Sequence, residues 1–549
     1  MKQVSHNSSK AASVNGRTLF DFADELAVLV PTSCGRMGHC HECIVEVTSG
    51  LEALSPPTEA ESFLRGNYRL ACQAVISNPE VDVVFSPLRR RPRILTAPAS
   101  EKPVEMDATV TRRHDRIFYN GEELDRYRGH VYGVAIDLGT TTIVMELVDL
   151  ETGSTVAVAS FENPQRFGGS DVMNRISYDS GPGRGELQKA VITAVNRELQ
   201  ELCSRLSFTR HEIYEIMLAG NSTMRDLFFG FDVHSIGQRP YKSVVEHEYL
   251  AGTRTTTALV EKAHKLGVWA HPHARVVTPP LVASHVGADT AADLVAIDME
   301  AQQETVMLVD VGTNTEVVIG HAGKMLAASC PAGPAFEGGL VKYGMPASEG
   351  AIESIRLTQR GFEYETIGGA PPQGICGSGL IDLLAELRRH GRITPKGVFT
   401  DRSYVMTVVP DYGITFSRED ASNLAQAKAA NYCGQFIAMR KFGAEPRNIS
   451  KLYLAGGFAN YINVRNSVEI GFLAPVPEDR ILKVGNAAIQ GAKEMLLSRR
   501  KRQAIDELVR RIEHVELETT PDFFEVFVDG CQFKQMPAEF TPERLLEKV

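Results

Sequence analysis

The stretch CGRMGHCHEC, residues 34–43, places Cys34, Cys40 and Cys43 in a window of ten, and Cys72 follows after 28 residues, giving C-x5-C-x2-C-x28-C. Thiolates bunched in this way have three chemistries open to them: a tetrahedral zinc site, disulfides, or the cradle of a redox cluster. Structural zinc sites usually join two short C-x2-C knuckles, and only Cys40 and Cys43 form one. The N-terminal MKQVSHNSSKAASVNG is too polar for a signal peptide, and no run approaches the roughly 18 apolar residues that cross a bilayer. A cytoplasmic protein without a membrane span is the expectation, and a reducing compartment disfavours structural disulfides among its nine cysteines.

A second chemistry lies downstream. AIDLGTTT runs from Ala135 to Thr142 and LVDVGTNTE from Leu308 to Glu316; each is an apolar strand closed by an aspartate, Asp137 or Asp310, and a Gly-Thr turn. Such a turn points backbone N–H groups and hydroxyls into one concavity that suits a phosphate, and a carboxylate at the strand end can hold Mg2+ through water. Turn formation alone explains one Asp-x-Gly-Thr hairpin. It does not explain two of them followed by LYLAGGFA, whose Gly456 and Gly457 permit close backbone approach to a ligand.

These residues need scaffolds. At 549 residues, 43% hydrophobic and 23% charged, the chain is long enough for several well-buried cores. A net charge of -10 argues against nucleic acid as a partner, and the basic run RRRPR at Arg89–Arg93 reads as linker. Residues 1–88 read as a compact α+β unit with a hairpin turn at Asn15-Gly16, a short amphipathic helix, and strands in CIVEVTSG and VDVVFSPL. Residues 2–13 are too polar for a convincing first strand. Residues 89–128 read as a linker, with ATVTRRHDRIFYNG hinting at a hairpin. The repeated turn predicts two similarly built halves, 129–303 and 304–549. In the C-terminal extension, LSRRKRQAIDELVRRIEHVEL reads as a helix passing into a strand and FFEVFVDG as another strand.

Taken in order, AIDLGTTT, LVDVGTNTE and LYLAGGFA resemble the two phosphate motifs and the adenosine motif of the ASKHA superfamily of acetate and sugar kinases, heat-shock chaperones and actin. SHVGADTAADL at 284–294 and GNAAIQGAK at 485–493 sit where that superfamily's two connecting helices fall. NPQRFGGSDVMNRISY, LAGNSTMRDLFFG, CPAGPAFEGG and GICGSGLIDLLAEL are similar to signature blocks of the reductive activators of corrinoid-dependent methyltransferases, which join an ASKHA ATPase to an N-terminal ferredoxin domain. The cysteine spacing resembles that of 2Fe-2S ferredoxins, C-x4-C-x2-C with a distant fourth cysteine, lengthened by one residue as in the adrenodoxin-like variant.

The resemblance implies a multidomain chain: a β-grasp, ferredoxin-like 2Fe-2S domain, then a two-lobed α/β ATPase with ATP and Mg2+ in its cleft. Cys34, Cys40, Cys43 and Cys72 become the cluster ligands. A Rieske-type centre would need two His in place of two Cys, so His39 and His41 are expected to face solvent. Glu42, where a small residue is usual, adds negative charge beside the cluster. Gly139, Thr140, Thr141 and Thr142 form one phosphate loop, and Gly312, Thr313, Asn314 and Thr315 the other. Asp137 and Asp310 hold Mg2+ or the attacking water, Glu316 and Asp289 orient water, and Gly456, Gly457 and Phe458 border the adenine and ribose. Asp171 is either a cleft residue or a helix N-cap, and Cys330 and Cys376, in Gly-rich loops, are compatible with a second metal site. The implied activity is ATP-dependent transfer of one electron to the inactive Co(II) corrinoid of a partner methyltransferase system, restoring Co(I), with an upstream low-potential donor; a homodimer is compatible with it. The alternative is a small-molecule kinase of the same superfamily that carries a ferredoxin domain.

Overall fold

The computed structural model describes residues 2–7, 9–88, 104–457 and 459–539. The basic run at 89–93 and Phe458 lie outside the described residues. At the N-terminus, β1 (Gln3–His6), β2 (Ser9–Ala12), α1 (Leu19–Glu25), β3 (Ile44–Ser49), β4 (Tyr68–Leu70) and β5 (Val83–Pro87) build a sheet of order β2-β1-β5-β3-β4 with β1 parallel to β5. The polar segment 2–13 is a hairpin, contrary to its composition. Val4 and Ala11, paired across it, face the core, and one apolar residue per strand on the inner face suffices at an edge. Asn15-Gly16 is not a hairpin tip but the turn into α1, where the Gly16 N–H donates to the Ile76 carbonyl. Thr18 and Asp21 then cap α1 reciprocally.

Residues 110–126 are more than a tether: β6 (Val110–Arg113), β7 (Arg116–Tyr119) and β8 (Glu122–Arg126) form an antiparallel sheet. It is fastened by the Tyr119 hydroxyl, which donates to the fully buried Glu215 at 2.9 Å.

The first lobe follows as β9 (Tyr132–Leu138), β10 (Thr142–Asp149), β11 (Thr155–Glu162), α2 (Val172–Asp179), α3 (Glu186–Leu206), β12 (Ile213–Gly220), α4 (Ser222–Phe229), α5 (Val244–Leu250), β13 (Leu259–Lys262), β14 (Arg275–Thr278) and α6 (Ala288–Ala296). The second comprises β15 (Val306–Val311), β16 (Thr315–His321), β17 (Lys324–Cys330), β18 (Ala351–Thr358), β19 (Gly361–Thr366), β20 (Gly374–Ile375), α7 (Gly377–Arg389), β21 (Val405–Val409), β22 (Ile414–Ser417), α8 (Arg418–Phe442), β23 (Lys451–Ala455), α9 (Val464–Glu469), β24 (Ile481–Gly485), α10 (Ala487–Leu497), α11 (Arg499–Val509), β25 (Ile512–His514) and α12 (Phe523–Gly530).

The two halves share a topology. Their sheets run β11-β10-β9-β12-β14-β13 and β24-β23-β15-β16-β17-β25. In each, the strand that ends at the aspartate turns back antiparallel on one side and takes a parallel partner on the other, β9 with β12 and β15 with β23. YGVAIDL and VMLVDV are near-continuous apolar runs because both faces of a central strand are covered. α6 and α10 cross between the lobes so closely that a Cβ on Gly491 would lie 1.8 Å from the Ala292 carbonyl oxygen, so only glycine fits there.

FFEVFVDG is a helix, α12, not a strand. Val526 and Gly530, four apart, are buried on one helical face, while Phe524 and Val528 stay exposed, so helical packing overrides the β-branched and aromatic composition. Among the described residues no helix is long and apolar enough to cross a membrane.

Candidate functional site

The loop between α1 and β3, together with the turn after β4, brings all four N-terminal cysteines to one place. The Cys43 and Cys72 sulfurs stand 3.4 Å apart and are buried. The Cys34 and Cys40 sulfurs, half-buried at the rim, lie 4.0 and 3.9 Å from the Thr32 hydroxyl. Backbone N–H groups converge on these sulfurs, which favours thiolates. The Cys40 N–H, with those of His39 and Met37, pulls the Cys34 thiol down to about 6. The Cys43 S–H, then Gln73 and the Gly38 N–H, pull Cys72 down to about 6. The same Cys43–Cys72 bond, with burial, pushes Cys43 up. Two pairs of thiols, each pair served by donors, suit two irons that each keep two cysteine ligands.

The loop's other polar groups are turned elsewhere. Glu42 accepts from the Ser33 hydroxyl at 2.7 Å. His39 is exposed as expected, but His41 is not free in solvent. It stacks on Phe63 with centroids 4.2 Å apart, and its Nδ1 lies 2.9 Å from Glu186 on α3. The reason is the neighbouring lobe: one apolar core runs from the ferredoxin-like sheet into the face of the first lobe, and His41 sits at that seam.

The second site is the cleft between the lobes, where the β9–β10 and β15–β16 turns face each other. Gly139, Thr140, Thr141, Thr142, Gly312, Thr313 and Asn314 line it, with Gly456 and Gly457 at one side. The Thr141 and Thr313 hydroxyls are 3.3 Å apart and both donate to Glu337, at 3.1 and 2.6 Å. Asn221, the N-cap of α4, donates to the Thr140 hydroxyl at 3.0 Å. Thr315 stands apart: it is fully buried in β16, and its hydroxyl finds no partner.

The carboxylates gather beneath these turns. Burial pushes Asp137 up to about 7 against a 2.7 Å bond from Asn486, with Asp310 raising it further. Burial with Asp310 and Asp137 opposite raises Asp289 to about 7, and burial raises Asp310 to about 6. Glu316 goes well up for the same reasons, burial first and then Asp289 and Asp310. So many buried acids crowded together favour protonation. Bound Mg2+ would reverse this by stabilising the ionised forms.

Asp293, Glu337, Asn221 and Asn486 were not singled out from the sequence. Asp293 lies one helical turn after Asp289, so the i, i+4 spacing could have found it. It is fully buried, neither oxygen receives a donor, and burial with Asp310 opposite raises it well above the ordinary range. Asn221 and Asn486 are strand-to-helix N-caps, a local signal that also points a side chain at the cleft. Glu337 had no such signal. Asp171 is the N-cap of α2, accepting from the Asn174 N–H at 2.9 Å, and does not line the cleft. The Cys376 sulfur donates to the Ile352 carbonyl at 3.3 Å, and both Cys376 and Cys330 are buried.

Known proteins share this pairing of sites. Residues 4–77 match the 2Fe-2S iron-sulfur cluster binding domain, residues 132–302 the RACo middle region, and residues 304–544 the C-terminal domain of RACo, the ASKHA domain. Corrinoid activation enzyme RamQ of Eubacterium limosum is 30% identical over 73% of this chain and 70% of its own length. The chain belongs to the reductive activators of corrinoid proteins. Another similar activator, the [Co(II) methylated amine-specific corrinoid protein] reductase of Methanosarcina barkeri, is 23% identical over 76% of this chain and 80% of its own. A solved reductive activator for a corrinoid, iron-sulfur protein superposes with a TM-score of 0.70 at 26% identity, covering 99% of this chain and 100% of that one. The activator architecture is therefore a 2Fe-2S ferredoxin domain followed by ASKHA lobes, as the sequence led one to expect.

Proposed function

We propose that this activator spends ATP, held with Mg2+ in the interlobe cleft, to drive one electron onto the Co(II) corrinoid of a partner protein, yielding Co(I). The observation that supports this most is the presence in one chain of a four-thiolate loop served by N–H donors and of a two-turn phosphate cleft floored by carboxylates. When bound, a plant-type 2Fe-2S cluster supplies a one-electron couple near about -400 mV. Each further 100 mV uphill costs roughly 2.3 kcal/mol for one electron, a size that ATP can offset. A low-potential donor replaces the electron that cobalt takes, so the balance is one electron in and one out per Co(I) formed.

Within this reading the chain's residues divide the work. Cys34, Cys40, Cys43 and Cys72 hold the cluster. The Gly139–Thr142 and Gly312–Asn314 turns bind phosphate oxygens through N–H groups and hydroxyls. Asp137, held by Asn486, and Asp310 hold Mg2+ or its waters, while Glu316, Asp289 and the newly found Glu337 are placed to orient water. Gly456 and Gly457 leave room for the base and ribose. The cytoplasm, where low-potential donors are available, is the proposed setting.

The test is anaerobic. The iron-loaded protein, a low-potential reductant, MgATP and a Co(II) corrinoid protein are mixed and the Co(I) absorption band is followed. Co(I) should accumulate only with ATP, and Cys43→Ser should stop it. Equal Co(I) without ATP would overturn the coupling, and zinc in place of iron would overturn the redox half.

A further inference from the structure

The first phosphate turn is bonded to a segment that also holds the ferredoxin domain. That segment, residues 163–179, contains a short 3-10 turn (Pro164–Gly168) and α2. At one end it grips three consecutive peptide groups of the turn. Asn163 Nδ2 donates to the Gly139 carbonyl at 2.9 Å, the Asn163 N–H to the Thr141 carbonyl at 2.7 Å, and Arg175 Nη2 to the Thr140 carbonyl at 2.7 Å. At the other end it touches the ferredoxin domain. The Tyr178 hydroxyl donates to the Phe63 carbonyl at 2.6 Å, Arg166 donates to the Pro87 carbonyl at 3.2 Å, and Phe167 lies edge-on to both Phe63 and Tyr178.

Arg175 makes this connection responsive to charge. Its side chain is 1% exposed, its donors go to the Thr140 and Gly169 carbonyls, the Met224 sulfur at 3.0 Å and the Gln165 amide oxygen at 3.5 Å, and among the described residues no carboxylate forms an ion pair with it. A buried guanidinium met by neutral acceptors without an ion-pair partner is costly. A polyanion bound in the turn whose carbonyl it holds would offset that cost, so the α2 geometry seen here gains stability when the turn is filled.

We propose that Arg175 and Tyr178 are positioning residues that make docking of the ferredoxin domain on the first lobe depend on occupancy of the first phosphate turn. The inference rests on the nucleotide reading of the cleft. Filling the turn fixes its carbonyls, Arg175 fixes α2, and Tyr178 at the far end of that helix fixes the carbonyl of Phe63, on whose ring His41 of the cysteine loop stacks. Two sites are then coupled through one shared segment, and the coupling is reciprocal.

The experiment uses full-length, iron-loaded protein with Mg2+ and a non-hydrolysable ATP analogue. Calorimetry reports analogue binding, and amide hydrogen exchange reports residues 58–68 and 163–179. In the native chain the analogue should slow exchange across 58–68 by about 5-fold or more, the lower end of ordinary allosteric coupling. Tyr178→Phe keeps the ring and loses only the hydroxyl. It should bind the analogue within about 2-fold of the native chain, slow exchange at 163–179 as before, and lose the response at 58–68. Arg175→Lys, which keeps the charge without the fork, should lose the response in both segments. His41→Ala is the control: it should loosen 58–68 equally with and without the analogue, because Glu186 bonds to His41 and not to the turn. Binding with no change at 58–68, or a full response in Tyr178→Phe, would overturn this proposal alone. Absence of binding would overturn the nucleotide reading along with it.

Discussion

The two phosphate turns come from nearly the same sequence pattern and are wired in opposite ways. In the first, Thr140 meets the cleft: its hydroxyl takes a bond from Asn221 and its carbonyl one from Arg175 of α2, the helix whose Tyr178 reaches the ferredoxin domain. In the second, the matching Thr313 donates to Glu337 of its own lobe and meets Thr141 of the first turn across the cleft, and among the described residues no residue of the ferredoxin domain bonds to it. The last threonines diverge as well, since Thr142 lines the cleft and Thr315 is sealed in β16. Repetition of a motif therefore sets backbone shape, while the partners that tertiary packing supplies set what each copy can report and to whom.

If the second turn serves hydrolysis and the first serves signalling, the largest effect belongs to Asp310. Asp310→Asn should lower ATP hydrolysis by about 100-fold or more, the usual size for a lost charge-stabilising group, while the visible spectrum of the cluster stays intact. Loss of both would make Asp310 a folding residue and erase the distinction between the turns. Next comes Thr313→Val, which removes a hydroxyl that would otherwise meet a phosphate oxygen and leaves Glu337 with the Thr141 hydroxyl alone. Nucleotide affinity, read by calorimetry, should fall about tenfold, in line with about 1.4 kcal/mol for one polar contact.

The carboxylates under the turns give a pH test. Asp137, Asp289 and Asp310 have folded-state values raised above 3.8, to about 7, 7 and 6. The folded protein therefore binds more protons than the unfolded chain, so stability is fully present below the unfolded value and is lost as pH rises through the folded ones. The Tm of nucleotide-free protein should fall between pH 5 and pH 8 by about 2 °C or more. Asp289→Asn should flatten that fall, and MgATP analogue should reverse it, because a bound cation replaces the protons. A Tm that rises over this interval would mean that these acids are already neutralised in another way.

What the sequence revealed follows from the range of the interactions involved. The cysteine loop was legible because three ligands share ten residues and the fourth follows two strands later, just past β4, so spacing carried most of the geometry. Asp137 and Asp310 were legible because each closes its own strand. Glu337 was hidden because its partners, Thr141 and Thr313, come from different lobes, and no local periodicity encodes a contact across a cleft. The same limit explains His41, whose solvent-facing expectation ignored a lobe nearly 150 residues away, and the hairpin at 2–13, which exists because β5 offers β1 an edge.

Thr315 is where the comparison predicts almost nothing, and that is its use. The resemblance placed it in a phosphate loop, yet its hydroxyl is buried without a partner in β16. An unpaired buried hydroxyl costs about 1–3 kcal/mol of desolvation, and an apolar group of the same shape removes the cost. Thr315→Val should leave nucleotide affinity within about 2-fold and raise stability by up to about 1 kcal/mol in chemical denaturation. Thr142→Val, at the matching position of the first turn, changes a residue that does line the cleft and should weaken nucleotide binding without that gain. Equal losses of affinity in the two variants would mean that Thr315 turns outward when nucleotide binds, and would erase this asymmetry between the turns.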